Sequence, residues 1–206
     1  GGIRQVPDQC LKGLRDFCDK YSVLLILDEV QCGVGRSGKL FAHEWAGIEP
    51  DIMMVAKGIG GGFPIGAVLA TQEAASGMTV GTHGSTYGGN PLGCAVGSAV
   101  LDTVGDPAFL MEVSRKATAM RQGLDGLVSQ FSDVFEGVTG FGLMLGLKCR
   151  ASNIEVVNAG YDVGVLTVPA AENVVRVLPP LNILDEDIII ALKKLEKAAQ
   201  IARAAL

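Results

Sequence analysis

The chain has 206 residues, a formal net charge of −5 and 49% hydrophobic side chains, enough for one ordinary domain or a domain and a half and too apolar for disorder. No lysine–arginine cluster interrupts the acidic balance, which argues against a nucleic-acid partner, and the longest apolar runs are too short to span a membrane bilayer. Five cysteines without a C-x-x-C pair read as reduced thiols of a cytoplasmic protein, and two histidines far apart in sequence give a metal site little support.

The chain opens GGIRQVP, which reads as the middle of a loop and points to a piece of a longer protein, with a tag scar as the alternative. Residues 7–21 carry apolar side chains at helical spacing and run into VLLILD, an apolar stretch expected as a strand buried on both faces. A short helix is expected over 40–46, a second buried strand over DIMMVAK, and a third over GAVLAT at 66–71. After Asn90-Pro91, small and apolar residues to Leu101 predict a tightly packed helix with the proline in its first turn. Asp106-Pro107 is the clearest break. Beyond it are expected a long amphipathic helix over 108–130 and strands in VFEGVTG and FGLMLGLK. A short helix near 153–160, strands in VGVLTVPA and NVVRVLPPL and a C-terminal helix from Asp185 follow. The order is α/β, then α+β.

The stretch LLILDEVQCGVGRSGKL, residues 24–40, admits three readings. A P-loop needs the glycines before its helix and the acidic strand much later, with Ser or Thr after the lysine. Here the acidic strand comes first and Leu40 stands at the hydroxyl position, so an ATPase is rejected. A dinucleotide fingerprint needs its first glycine directly after the strand, yet DEVQC intervenes before Gly33. A flexible glycine loop is the more probable reading of Gly33, Gly35 and Gly38.

Asp28 remains, at the carboxyl end of a strand, where ligands of open α/β sheets sit. Asp28 and Glu29 point to opposite faces of a continuing strand, so only one can meet a given ligand. A capping or salt-bridged role for Asp28 is an equal alternative at this point. Lys57 closes the next apolar strand and opens a glycine run. Burial there would disfavour its charged form and make the amine nucleophilic. A lysine and a carboxylate at one sheet edge are the two groups that pyridoxal phosphate requires, one for its Schiff base and one for its ring nitrogen.

LDEVQCGVGRSGKLFAHEWAGIEPDIMMVAKGIGGG resembles the cofactor-lysine signature of class III pyridoxal-phosphate aminotransferases. GTHGSTYGGNPLGCA and VVRVLPPLNI continue the resemblance. It implies part of the mostly parallel large domain of a fold-type I transferase at 1–105 and a smaller α+β domain at 106–206. By that resemblance Lys57 and Asp28 are catalytic and hold pyridoxal phosphate, with Val30 against the ring and Gln31 near its hydroxyl. Thr86 binds the cofactor phosphate of a neighbouring subunit in a homodimer, and Ser85 lies beside the substrate. Arg176 grips the substrate α-carboxylate, which a planar guanidinium binds through two parallel hydrogen bonds.

The implied reaction moves an amino group from N-acetylornithine, or a similar terminal-amine donor, to 2-oxoglutarate in arginine biosynthesis. Ornithine and succinyldiaminopimelate are the alternative donors. A silent fragment serving only as an assembly surface is the competing reading. The family's earlier phosphate cradle, ring-stacking aromatic and second arginine have no counterpart in these residues. The chain is therefore expected to be the C-terminal half of such an enzyme and inactive alone.

Overall fold

The computed structural model describes residues 1–204. These divide into two compact units: Val6–Leu110, and Gly1–Gln5 together with the residues from Met111 on. The division falls inside a helix, just past the Asp106-Pro107 break, and the first five residues pack with the later unit.

In the first unit, α1 (Asp8–Tyr21) follows Pro7 and ends where Ser22 turns left-handed, its N–H and that of Val23 closing on the Asp19 and Cys18 carbonyls. Helix α1 places Cys18, with Leu11 beside it, in a cluster with Leu25, Leu27, Ala46 and Ile48. Strand β1 (Ile26–Asp28) pairs parallel with β2 (Ile52–Val55), and β2 pairs antiparallel with β3 (Ala67–Ala70). Over these three strands the sheet is thus mixed.

The expectation of strands buried on both faces fails for β1 and β3. Ile26 is 51% exposed and Val68 is 68% exposed, because within this unit only one face of β1 and little of β3 is covered. Met53 and Val55 of the central strand are buried. A 3-10 turn over Ala42–Trp45 stands where a short helix was expected.

Asp51 locks the start of β2 to α1. Its carboxylate accepts the Leu25 N–H at 2.7 Å and an Arg15 N–H at 2.8 Å, and these two hold it below the usual carboxylate range. A carboxyl depressed in the folded state stabilises the fold above its unfolded value near ~4, and that contribution disappears as pH falls through the folded value. Asp51→Asn is therefore expected to flatten the acid limb of a stability–pH profile measured by urea unfolding. An unchanged acid limb would remove Asp51 from that role.

Helix α2 (Pro91–Val104) begins as expected. Asn90 caps it by accepting the Gly93 N–H at 2.8 Å, and Pro91 takes the first position. Two of its three buried residues are glycines, Gly93 and Gly97, the third being Val104: a methyl on Gly93 would stand 3.3 Å from the Phe63 ring, and one on Gly97 would stand 3.8 Å from Ile65. The helix thereby lies close against the loop that follows β2.

Helix α3 (Pro107–Gln130) leads into the second unit, where β4 (Phe135–Phe141), β5 (Met144–Cys149), β6 (Val168–Ala170) and β7 (Val174–Val177) form an antiparallel sheet in the order β4-β5-β7-β6. Helices α4 (Asn153–Val163) and α5 (Asp185–Ala204) complete the unit. Helix α4 runs further than expected, until Gly164 ends it at φ +77°, so only the last residues of VGVLTVPA are strand. One sheet face, with Leu145, Leu147, Cys149, Val175 and Val177, is buried. Helices α3 and α5 meet closely at Gly123, where a methyl would come within 2.2 Å of Leu192. No single helix among the described residues is long and apolar enough to cross a membrane.

Candidate active site

Asp28 is the last residue of β1 and sits in register with Met54 of β2; Lys57 follows Met54 by three residues. Parallel pairing puts both at the carboxyl edge of adjacent strands. Asp28 lies on the open face with Ile26, while Leu27 turns toward the covered one. One Asp28 oxygen accepts the Val30 N–H at 2.9 Å; the other has no protein partner among the described residues.

Lys57 has φ +47°, the left-handed region that costs a side-chain-bearing residue about 1–2 kcal/mol. Ala56 is extended before it, and a 3-10 turn over Lys57–Gly60 begins at the lysine itself. The chain thus turns sharply off β2 at Lys57. The expected burial is not found: Lys57 is exposed in this unit, so burial within it is not what would make the amine nucleophilic.

The segment after Asp28 is a packed turn, which corrects the flexible-loop reading of Gly33, Gly35 and Gly38. Its organiser is Glu29, only 3% exposed. The Glu29 carboxylate accepts the N–H groups of Ala42 at 2.6 Å and His43 at 2.8 Å, and lies 2.8 Å from His43 Nδ1. Its own N–H continues the strand ladder to the Met54 carbonyl, and its carbonyl accepts the Gly33 N–H. A methyl at Gly33 would lie 2.8 Å from that carbonyl, and Gly35 and Gly38 take φ of +82° and +94°. The alternation of Asp28 and Glu29 carried the signal for this role, since whichever acid faced inward had to find donors. Val30 and Gln31 lie partly buried in the same turn.

Cys32, in that turn, has its thiol pushed up to about 11 by burial first, then by the Glu29 and Asp28 carboxylates. Burial pushes the Cys149 thiol to about 11 as well. Cys10 and Cys94 are exposed. Because the thiolate is the reactive form, alkylation at pH 7.5 should be roughly two orders of magnitude slower at Cys32 than at these two. Peptide mapping after timed iodoacetamide treatment measures this, and equal labelling of Cys32 and Cys10 would contradict the packed turn.

Ser85 and Thr86 lie exposed before α2, in a segment that also exposes Met78, Val80 and Tyr87. Ser85 Oγ accepts the Gly88 N–H at 2.9 Å, an ordinary polar turn. Arg176 belongs to the second unit, on β7. Its Nε is buried with no hydrogen-bond partner among the described residues.

Asp28 and Lys57 thus stand at the carboxyl ends of adjacent parallel strands, with Gln31 partly buried in the turn that follows Asp28. The family model described as aminotransferase class III matches residues 1–199. Acetylornithine aminotransferase of Rhodobacter capsulatus is 60% identical over 199 residues, which are 97% of this chain and 51% of that protein.

Among solved structures, N-acetylornithine aminotransferase from Stenotrophomonas maltophilia matches with a TM-score of 0.90 and 37% identity over 100% of this chain and 55% of that one. The ornithine aminotransferase from Toxoplasma gondii matches with a TM-score of 0.92 and 30% identity over 100% of this chain and 50% of that one. The chain spans about half the length of the curated relatives it matches. It belongs to the class III aminotransferases.

Proposed function

We propose that this chain carries the lysine-bearing half of a pyridoxal-phosphate aminotransferase that moves an amino group from N-acetylornithine to 2-oxoglutarate. The observation that carries the reading is the placement of Asp28 and Lys57 at the carboxyl edge of adjacent parallel strands. When bound, the cofactor supplies an electron sink for the pair released as a proton leaves the substrate carbon that bears the transferred amine. Asp28 would hold a proton on the ring nitrogen with its unengaged oxygen. The Lys57 amine would hold the cofactor and then carry the proton between carbon atoms. Val30 would pack against the ring, and Gln31 would hydrogen-bond near its hydroxyl.

Arg176 would take the substrate α-carboxylate, which its unpartnered Nε supports. In this reading 1–105 is part of the cofactor-binding domain and 106–206 the small domain. The protein is a cytoplasmic homodimer in which Thr86 reaches the partner's cofactor phosphate and Ser85 lies beside the substrate. The run of exposed apolar side chains at Met78, Val80 and Tyr87 supports a covered surface there. Ornithine is the second donor to consider, because ornithine aminotransferases match the fold equally well.

The test treats the pure chain with pyridoxal phosphate, reduces it with borohydride and maps the labelled peptide. Label on Lys57, with weak affinity and no turnover of N-acetylornithine or ornithine by the chain alone, is the expected result. Label scattered over surface lysines would favour a silent assembly piece.

A further inference from the structure

We propose that Ile3 is a positioning residue for Arg176: the Gly1–Gln5 strap packs over Gly146, the residue opposite Arg176 in the sheet, and sets the guanidinium for a carboxylate. This rests on Arg176 being the carboxylate-binding arginine.

The register of the second sheet draws one row across four strands. Thr139 of β4 faces Gly146 of β5, Gly146 faces Arg176 of β7, and Arg176 faces Val168 of β6. Opposed residues of antiparallel strands point to one face with their Cβ atoms about 4.5–5.5 Å apart. On one side Arg176 has Val168, half exposed; on the other it has a residue with no side chain.

That place is closed by Val174 and Thr139 of the sheet and, beyond them, by Ile3 of the strap. A methyl on Gly146 would come within 3.4 Å of Ile3 Cβ, 2.8 Å of Thr139 Oγ1 and 2.5 Å of Val174 Cγ1. At Gly140, one residue along β4 from Thr139, a methyl would come within 2.7 Å of Ile3 Cγ2. Ile3 is 5% exposed and lies against both Gly140 and Gly146.

The strap is held there under strain. Ile3 has φ +56°, an outlier for a β-branched residue, and such strain persists only where surrounding contacts impose it. Those contacts are present. Thr139 Oγ1 donates to the Gly2 carbonyl at 3.4 Å, and Arg4 donates to the Glu172 carboxylate at 2.8 Å. Gly2 lies so close to the β6–β7 turn that a methyl would meet Glu172 Oε2 at 3.0 Å. Lys148 donates to the Glu172 carbonyl, so both cations beside this turn are engaged while Arg176 Nε stays unpartnered. The strap and the β6–β7 turn thus pack at the Gly146 place in the row, next to an Arg176 whose Nε has no hydrogen-bond partner among the described residues.

The experiment uses the purified chain and titrates 2-oxoglutarate, reading Kd from the β7 amide resonances and the Arg176 Nε–H resonance. Ile3→Gly suits the backbone at φ +56° and removes only the side chain, so folding is not at risk from conformation. Ile3→Gly and Ile3→Ala should each weaken binding about tenfold, since small displacements of a recognition group cost affinity steeply, while Ile3→Val stays near the parent value. An unchanged Kd in Ile3→Gly, whatever its melting temperature, overturns the proposal. Arg176→Lys separates the two levels. If it binds like the parent chain, the carboxylate reading itself fails; if it loses binding while Ile3→Gly does not, only the role of Ile3 fails.

Discussion

Lys57→Gly is expected to abolish specific pyridoxal-phosphate labelling and, at the same time, to leave the fold as stable as before or more so. The two effects separate because Lys57 has φ +47° and is exposed. A left-handed lysine costs about 1–2 kcal/mol that glycine does not incur, and the extra freedom of glycine in the unfolded chain takes back roughly 0.5–1 kcal/mol. The net change should therefore be about 0–1.5 kcal/mol of added stability in urea unfolding. A lysine kept for packing would behave in the opposite way. A loss of stability exceeding ~1 kcal/mol in Lys57→Gly, with label still entering neighbouring lysines at the parent rate, would show that the residue is structural. Lys57→Ala completes the comparison: it removes the amine but keeps the strained φ, so it should lose the label without the gain in stability.

Glu29→Gln is expected to cause the largest loss of stability of any single change to the first unit's polar groups. The carboxylate is 3% exposed and receives two backbone N–H groups and lies against the His43 ring. A glutamine keeps one acceptor oxygen and turns an amide donor toward groups that are themselves donors. Removing one partner from a buried charge-assisted set costs about 2–5 kcal/mol. For a chain of this size that is on the order of 5–15 °C in melting temperature. His43→Ala removes one of the three contacts and leaves both backbone donors satisfied, so its cost should be smaller. Because the clamp lies beside Asp28, Glu29→Gln should also weaken pyridoxal-phosphate labelling of Lys57. A change below ~0.5 kcal/mol for Glu29→Gln would place the clamp's stability elsewhere in the turn.

The sequence by itself determined most of the elements, their order and the two strand ends that carry Asp28 and Lys57. Helical spacing located α1, α3 and α5, the Asn90-Pro91 pair located the start of α2, and apolar runs ending in Asp28 and near Lys57 located the two strand ends. These signals are local, carried by periodicity and capping along a few residues. Only the tertiary structure decided which acid of the Asp28-Glu29 pair faces inward, because that depends on donors arriving from Ala42 and His43 more than ten residues later. It alone showed the left-handed turn at Lys57, since φ is imposed by what packs around the turn and a lysine codon carries no mark of it. It also decided that the faces of β1 and β3 lie open, because an apolar run records that a face wants cover and not whether the cover is present. The seat of Ile3 over Gly146 is the furthest from sequence. It joins residues some 140 positions apart, and the glycine becomes meaningful only when the strands are in register.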